Sequence, residues 1–113
     1  MIVDDSSFVR LTLRSMLERH GFEVIGEAEN GIKAVDKCKS LKPDIITMDI
    51  TMPDMDGIEA IKLIKELKLD CKIVMISSMG YEAYVRRSIL AGAVNFIVKP
   101  FKEDHVIHVL TSV

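Results

Sequence analysis

Tryptophan is absent from the 113 residues, proline occurs three times and cysteine twice, and no apolar run approaches the roughly 20 residues that a membrane-spanning helix needs. Each scarcity excludes something. Cys38 and Cys71 stand far apart and in no metal-ligand spacing, which rules out a disulfide scaffold or a zinc module and leaves two reduced thiols packed as small hydrophobes. With 15 basic against 17 acidic residues the net charge is −2, so no electrostatic ground exists for nucleic-acid binding. No glycine-rich loop follows the first apolar run, which argues against a nucleotide- or flavin-binding domain. No basic segment leads into an apolar core at the start, and together these absences predict a cytoplasmic protein with no membrane segment. There is no internal repeat, linker or low-complexity stretch, and residues 1–113 read as one domain with enough length for a single core.

What is present alternates. Met1, Ile2 and Val3 are short for a strand, so further residues upstream are expected. They lead into Asp4 and Asp5, then into a helix capped by Ser6 or Ser7, with Val9, Leu13, Met16 and Leu17 on one face and Gly21 at its end. Phe22–Glu27 reads as a second strand. Asn30 caps a helix with the stripe Ala34, Val35, Cys38 and Leu41, stopped by Pro43. The branched run from Ile45 to Met48 ends on Asp49 and turns through Pro53, Asp56 and Gly57. Ile58, Ile61, Ile64 and Leu67 mark the next helix, with lysines on its wet side. Lys72–Ser77 carries an unbroken apolar run, the pattern of a strand covered on both faces. Tyr81–Ala91 forms a helix with a thin stripe, Val85 and Ile89, which anchors it weakly. Asn95–Val98 is a fifth strand before Lys99 and Pro100, and Glu103–Ser112 a last helix with Val106, Val109, Leu110 and Val113 inward.

Strict alternation of strand and helix predicts an α/β fold: a doubly wound, five-stranded parallel sheet with right-handed crossovers and five helices on its two faces. In such sheets ligands bind outside the carboxyl ends of the strands. Asp4 and Asp5, Asp49, Ser77 and Lys99 all fall at that edge, from four different strands. Each has an ordinary reading alone: a helix N-cap with a neighbour favoured by the helix dipole for the acids, a turn hydroxyl for Ser77, an exposed cation for Lys99. Together they carry chemistry. Carboxylates that converge repel unless a cation lies among them, and an all-oxygen donor set with phosphate oxygens suits Mg²⁺. Lys99 and Ser77 complete a clamp for a phosphoryl group, and a carboxylate can itself be the nucleophile, for which Asp49 is the most central. His20, His105 and His108, and the methionines at 48, 52, 55, 75 and 79, read as surface and packing residues.

The segments Ile2-Val3-Asp4-Asp5-Ser6, Met48-Asp49-Ile50-Thr51-Met52-Pro53 with Asp56-Gly57, Ile76-Ser77-Ser78 and Val98-Lys99-Pro100-Phe101 resemble a two-component receiver domain from end to end. The resemblance implies a flavodoxin-like sheet of order 2-1-3-4-5. It also implies that Asp49 is the phosphoacceptor for a histidine kinase. Asp5 then binds Mg²⁺ directly, Asp4 partly through water, and Thr51 through its backbone carbonyl. Ser77 is the hydroxyl that moves to the phosphoryl oxygen, Lys99 its ionic partner, Phe96 the switch aromatic, and Lys99–Pro100 a cis peptide. Output leaves through the last two helices and fifth strand. Phe96 lacks the hydroxyl of the commoner tyrosine, Ser78 replaces a small apolar residue, and Thr51 and Met79 carry no acid or amide to orient a water, which implies a long-lived phosphoryl group.

Thr47-Met48-Asp49-Ile50-Thr51-Met52-Pro53 with Ser77-Ser78-Met79-Gly80 is further similar to stand-alone chemotaxis regulators, whose partners are a chemotaxis-type kinase and a flagellar motor switch or phosphatase protein. The alternative is a receiver cut from a multidomain transcriptional regulator or hybrid kinase. A small Mg²⁺-dependent aspartyl phosphohydrolase fits less well, since Thr51 stands where such enzymes carry a second acid and no cap domain excludes water. Beyond self-phosphorylation from a phosphodonor and autodephosphorylation, no enzyme activity is expected.

Overall fold

The strand Lys72–Ser77 (β4) sets the frame, because its residues alternate between two cores. In the computed structural model, which describes residues 1–113, Ile73 and Met75 point to one face of the sheet and Val74 and Ile76 to the other, all essentially inaccessible to water. On either side lie Ile45–Met48 (β3) and Asn95–Val98 (β5), both parallel to it. Ile2–Val3 (β1) pairs with β3, and Glu27–Ala28 (β2) completes the edge. The sheet is parallel throughout, in the order β2-β1-β3-β4-β5. This is the flavodoxin-like order expected.

Five helices follow the strands: Ser7–Arg19 (α1), Gly31–Leu41 (α2), Gly57–Glu66 (α3), Glu82–Ala91 (α4) and Glu103–Ser112 (α5). Helices α1 and α5 cover one face with Leu13, Met16, Leu17, Val106, Val109 and Leu110. Helices α2 and α3 cover the other with Ala34, Cys38, Ile58, Ala60, Ile61 and Ile64. Side-chain caps begin three of the helices as the sequence predicts or allows. Ser6 accepts from the Val9 N–H (3.3 Å), Asn30 from Lys33 (2.8 Å) and Asp56 from Glu59 (2.8 Å), each satisfying an amide that the helix cannot. Both cysteines are buried and unpaired, and burial pushes the Cys38 thiol up to about 11. No helix is long and apolar enough to cross a membrane.

The structure departs from the sequence pattern in four places. The second strand is Glu27–Ala28 rather than Phe22–Glu27. An edge strand extends only where its neighbour offers backbone groups, and β1 offers two residues, so pairing begins where the Ile2 N–H donates to the Gly26 carbonyl. Phe22 and Val24 instead pack loosely onto the α1/α5 core, and Ile25 is exposed. Leu41 and Val113, at the last turns of α2 and α5, lie at the surface. Helix α4 is held more thinly than its stripe suggests: Ile89 is exposed, Val85 half-buried, and Ser88 is its one buried residue, donating its hydroxyl to the Tyr84 carbonyl (2.7 Å).

Gly57 carries the closest approach in the fold. A Cβ there would stand 1.9 Å from the Asp49 carbonyl oxygen, with the backbone too tight to yield, while the Gly57 N–H donates to the Ile50 carbonyl at 2.8 Å. At Gly80 an added Cβ meets the half-exposed Val98 side chain, its methyls at 2.8 and 3.0 Å, and no backbone atom is among its nearest neighbours. Gly57→Ala is therefore expected to cost about 2–3 kcal/mol, as forced overpacking does, and Gly80→Ala less than about 1 kcal/mol. Urea unfolding of the two variants checks this; equal losses would count against the tight Gly57 packing.

Candidate functional site

At the carboxyl edge of the sheet the chain leaves β1, β3, β4 and β5 on Asp4, Asp49, Ser77 and Lys99 respectively. Parallel registry brings these ends together: Val3 pairs with Met48, Met48 with Met75, and Ser77 with Val98. The carboxylates of Asp4, Asp5 and Asp49 each offer an oxygen, and these atoms lie within 4.8 Å of one another. Asp4 and Asp49 are buried and Asp5 is exposed, so the cluster opens to solvent on the Asp5 side.

Lys99 is the cation in this cluster. Its ammonium donates to Asp4 Oδ2 at 2.7 Å and stands 3.6 Å from Asp49 Oδ2. The second Asp4 oxygen accepts from the Ser6 N–H (2.9 Å), and Asp49 Oδ1 from its neighbour Ile50 N–H (2.8 Å). Burial raises the Asp49 pKa from the ordinary carboxylate range, Lys99 draws it back, and the charge of Asp4 adds to the rise. The buried Ser77 hydroxyl accepts from the Met79 N–H at 3.2 Å. Phe96 packs half-buried against the α2/α3 core, and the Lys99–Pro100 peptide is cis. Thr51 lies exposed in the loop after β3, and its carbonyl accepts no hydrogen bond from the protein.

A hard cation suits this donor set. All the ligand atoms are oxygens, the cluster carries three acids against one ammonium, and the open side leaves room for water, as Mg²⁺ prefers. Asp4 is the exception among the three, since both of its oxygens already have donors.

The response regulator receiver domain matches residues 1–111. The chain belongs to the response regulator receiver family. It is 51% identical to the chemotaxis protein CheY of Thermotoga maritima over all of this chain and 94% of that protein. It is 50% identical to CheY of Bacillus subtilis, over 99% of this chain and 93% of that one. The structure of the CheX–CheY–BeF3–Mg complex from Borrelia burgdorferi superposes with a TM-score of 0.94 at 41% identity, covering 98% of this chain and 84% of that one. These relatives place the receiver in two-component signalling of the chemotaxis kind.

Two sets of contacts, one at the receiver's site and one between α1 and α5, are not marked in the sequence pattern. Arg10 donates to the Asp4 backbone carbonyl at 2.5 Å, a contact that depends on how α1 turns back over β1. Arg19 and His20 both bond Glu103, tying the end of α1 to the start of α5 across more than 80 positions. Only an i, i+3 or i, i+4 spacing would have signalled such contacts in advance. His105 and His108 are exposed, and Met48, Met52, Met55, Met75 and Met79 pack against the α2/α3 core.

A raised carboxylate pKa means that the folded receiver holds the Asp49 proton more tightly than the unfolded chain does. The ionised form then costs stability above the raised folded pKa, and the cost disappears as pH falls through it into the ordinary range. Without metal, Asp49→Asn is expected to stabilise the protein at pH 7 by about 1 kcal/mol, a usual size for one substitution, and by progressively less toward pH 4. Melting temperatures across that range check the sign; a variant less stable than its parent at pH 7 would contradict it.

Proposed function

We propose that Asp49 accepts a phosphoryl group from the phosphohistidine of a partner kinase, with Mg²⁺ held by Asp5, Asp49 and the Thr51 carbonyl and by Asp4 through water. The observation that carries this reading is the meeting of three carboxylates and one ammonium at the end of β3, with Asp49 at its centre. An Asp49 carboxylate oxygen attacks phosphorus in line with the leaving nitrogen. The new P–O bond forms as the P–N bond breaks, and the electron pair returns to the histidine nitrogen, so that a ring protonated on its other nitrogen leaves as neutral imidazole. The metal offsets charge on the phosphoryl oxygens. Lys99 changes partners, from Asp4 to a phosphoryl oxygen, a move its existing 3.6 Å approach to Asp49 makes short. Ser77 turns its hydroxyl from Met79 to another phosphoryl oxygen.

The new group brings roughly −1.5 to −2 charges and strong acceptors. The element these bias is α4, with one buried residue, together with the loop of Ser78, Met79 and Gly80 that joins it to β4. Phe96 follows Ser77 inward. Tyr81 at the start of α4 and Val98 on β5 already stand exposed, and their rearrangement alters what a partner meets. A kinase of the chemotaxis type supplies the phosphoryl group, and a flagellar motor switch or phosphatase protein reads it; the CheX partner of the Borrelia relative supports a reader of this kind. The phosphoryl group is long-lived, because neither Thr51 nor the half-buried Met79 carries an acid or amide to orient an attacking water.

Intact mass after incubation with Mg²⁺ and acetyl phosphate tests the reading. A single phosphoryl adduct is expected, lost in Asp49→Asn and lost with chelator. A folded protein that takes no adduct, or an adduct that persists in the Asn variant, rejects Asp49 as the acceptor.

A further inference from the structure

The three acids of the cluster are not held alike. Asp4 is fixed by the Ser6 N–H and Lys99, and Asp49 by the Ile50 N–H with Lys99 nearby. The carboxylate of Asp5 has no hydrogen bond or ion pair in the protein, and it is exposed. Its position therefore depends on the backbone, and above all on the plane of the Asp4–Asp5 peptide.

One oxygen of that peptide is gripped. Arg10, one turn into α1, donates Nη1 to the Asp4 carbonyl at 2.5 Å and Nε to Glu27 Oε1 at 3.0 Å. Its side chain is only 15% exposed. Glu27 is itself held in place, accepting from Arg14 Nε on Oε2 at 2.7 Å and from the Lys37 ammonium on its backbone carbonyl. The Asp4 N–H meanwhile donates to the Ala28 carbonyl at 3.1 Å. The planar guanidinium thus spans from an anchored carboxylate on β2 to the peptide preceding Asp5, and a rigid fork holds two acceptors in a fixed relation.

We infer that Arg10 is a positioning residue for Mg²⁺: through Glu27 it fixes the Asp4–Asp5 peptide plane, and so aims the otherwise unheld Asp5 carboxylate into the cluster. Arg10 does not touch the metal. It acts on affinity by removing the need to order Asp5 at the moment of binding, as partners behind metal ligands do. This inference rests on the Mg²⁺ site proposed above, and Glu27 and Arg10 together form one unit.

Calorimetric Mg²⁺ titration of the full chain, with no phosphodonor, tests it in the parent protein and in Arg10→Met, Arg10→Lys and Glu27→Gln. Arg10→Met is expected to raise the Mg²⁺ Kd roughly tenfold, the lower end of what such supporting partners contribute. Glu27→Gln should raise it by less, and the double variant should fall short of the product of the two effects, because both act through one contact. Arg10→Lys should recover part of the loss, since an ammonium reaches one acceptor but not both. In the acetyl phosphate assay, the Mg²⁺ concentration for half-maximal adduct should rise with the Kd, by more than the maximal rate falls. A merely structural tie would lower the melting temperature and leave the Mg²⁺ Kd within about twofold of the parent, the scatter of independent sites, and that result overturns the inference. Should Arg10→Met fail to fold, Glu27→Gln decides by the same criterion. A parent protein that binds no Mg²⁺ overturns the metal site itself, whereas parent binding with unaffected variants overturns only the role of Arg10.

Discussion

Three acidic side chains share one end of the sheet with a single ammonium, and that imbalance of charge is what the rest of the molecule is arranged to tolerate. Lys99 sits 2.7 Å from Asp4 and 3.6 Å from Asp49, closer to the acid that is already satisfied than to the one burial disfavours. Isolated in a low-dielectric interior, such a cluster would protonate or splay apart. Here it persists because four parallel strands end in register and because backbone amides at Ser6 and Ile50 supply part of the missing positive charge.

The same arrangement makes the protein responsive. A site that is fully satisfied has nothing to gain from an incoming cation, whereas an all-oxygen cluster short of positive charge suits a divalent ion. The strand order puts this deficit at the centre of the sheet edge, and Gly57 lets the loop after Asp49 fold back against the Asp49 carbonyl without a side chain between. Rigidity below and shortage above are thus consequences of one topology.

Much of this was legible from residues alone. The buried run of β4 matches its strand end for end, Asn30 caps the helix expected of it, and of the two serines that could cap α1 it is Ser6 that does. The acids, Ser77 and Lys99 could be placed at one edge because a parallel sheet puts every strand's carboxyl end on the same side. What escaped depends on partners rather than on pattern. The extent of β2 is decided by how much of β1 lies beside it, which no property of Phe22 or Val24 reveals. The exposure of Ile89, beside the buried Ser88 within α4, reflects which side of that helix meets the core. Arg10 and Glu27 are separated by 17 positions and meet only after α1 has packed.

Helix α4 has a thermodynamic corollary. The heat-capacity change of a transition follows the apolar area it exposes. A helix whose one buried residue is Ser88, and whose Ile89 and Leu90 already face solvent, uncovers little such area when it shifts. An equilibrium built on its displacement consequently has nearly constant enthalpy and entropy, and keeps a steadier balance on warming or cooling than one that required the core beneath β4 to open.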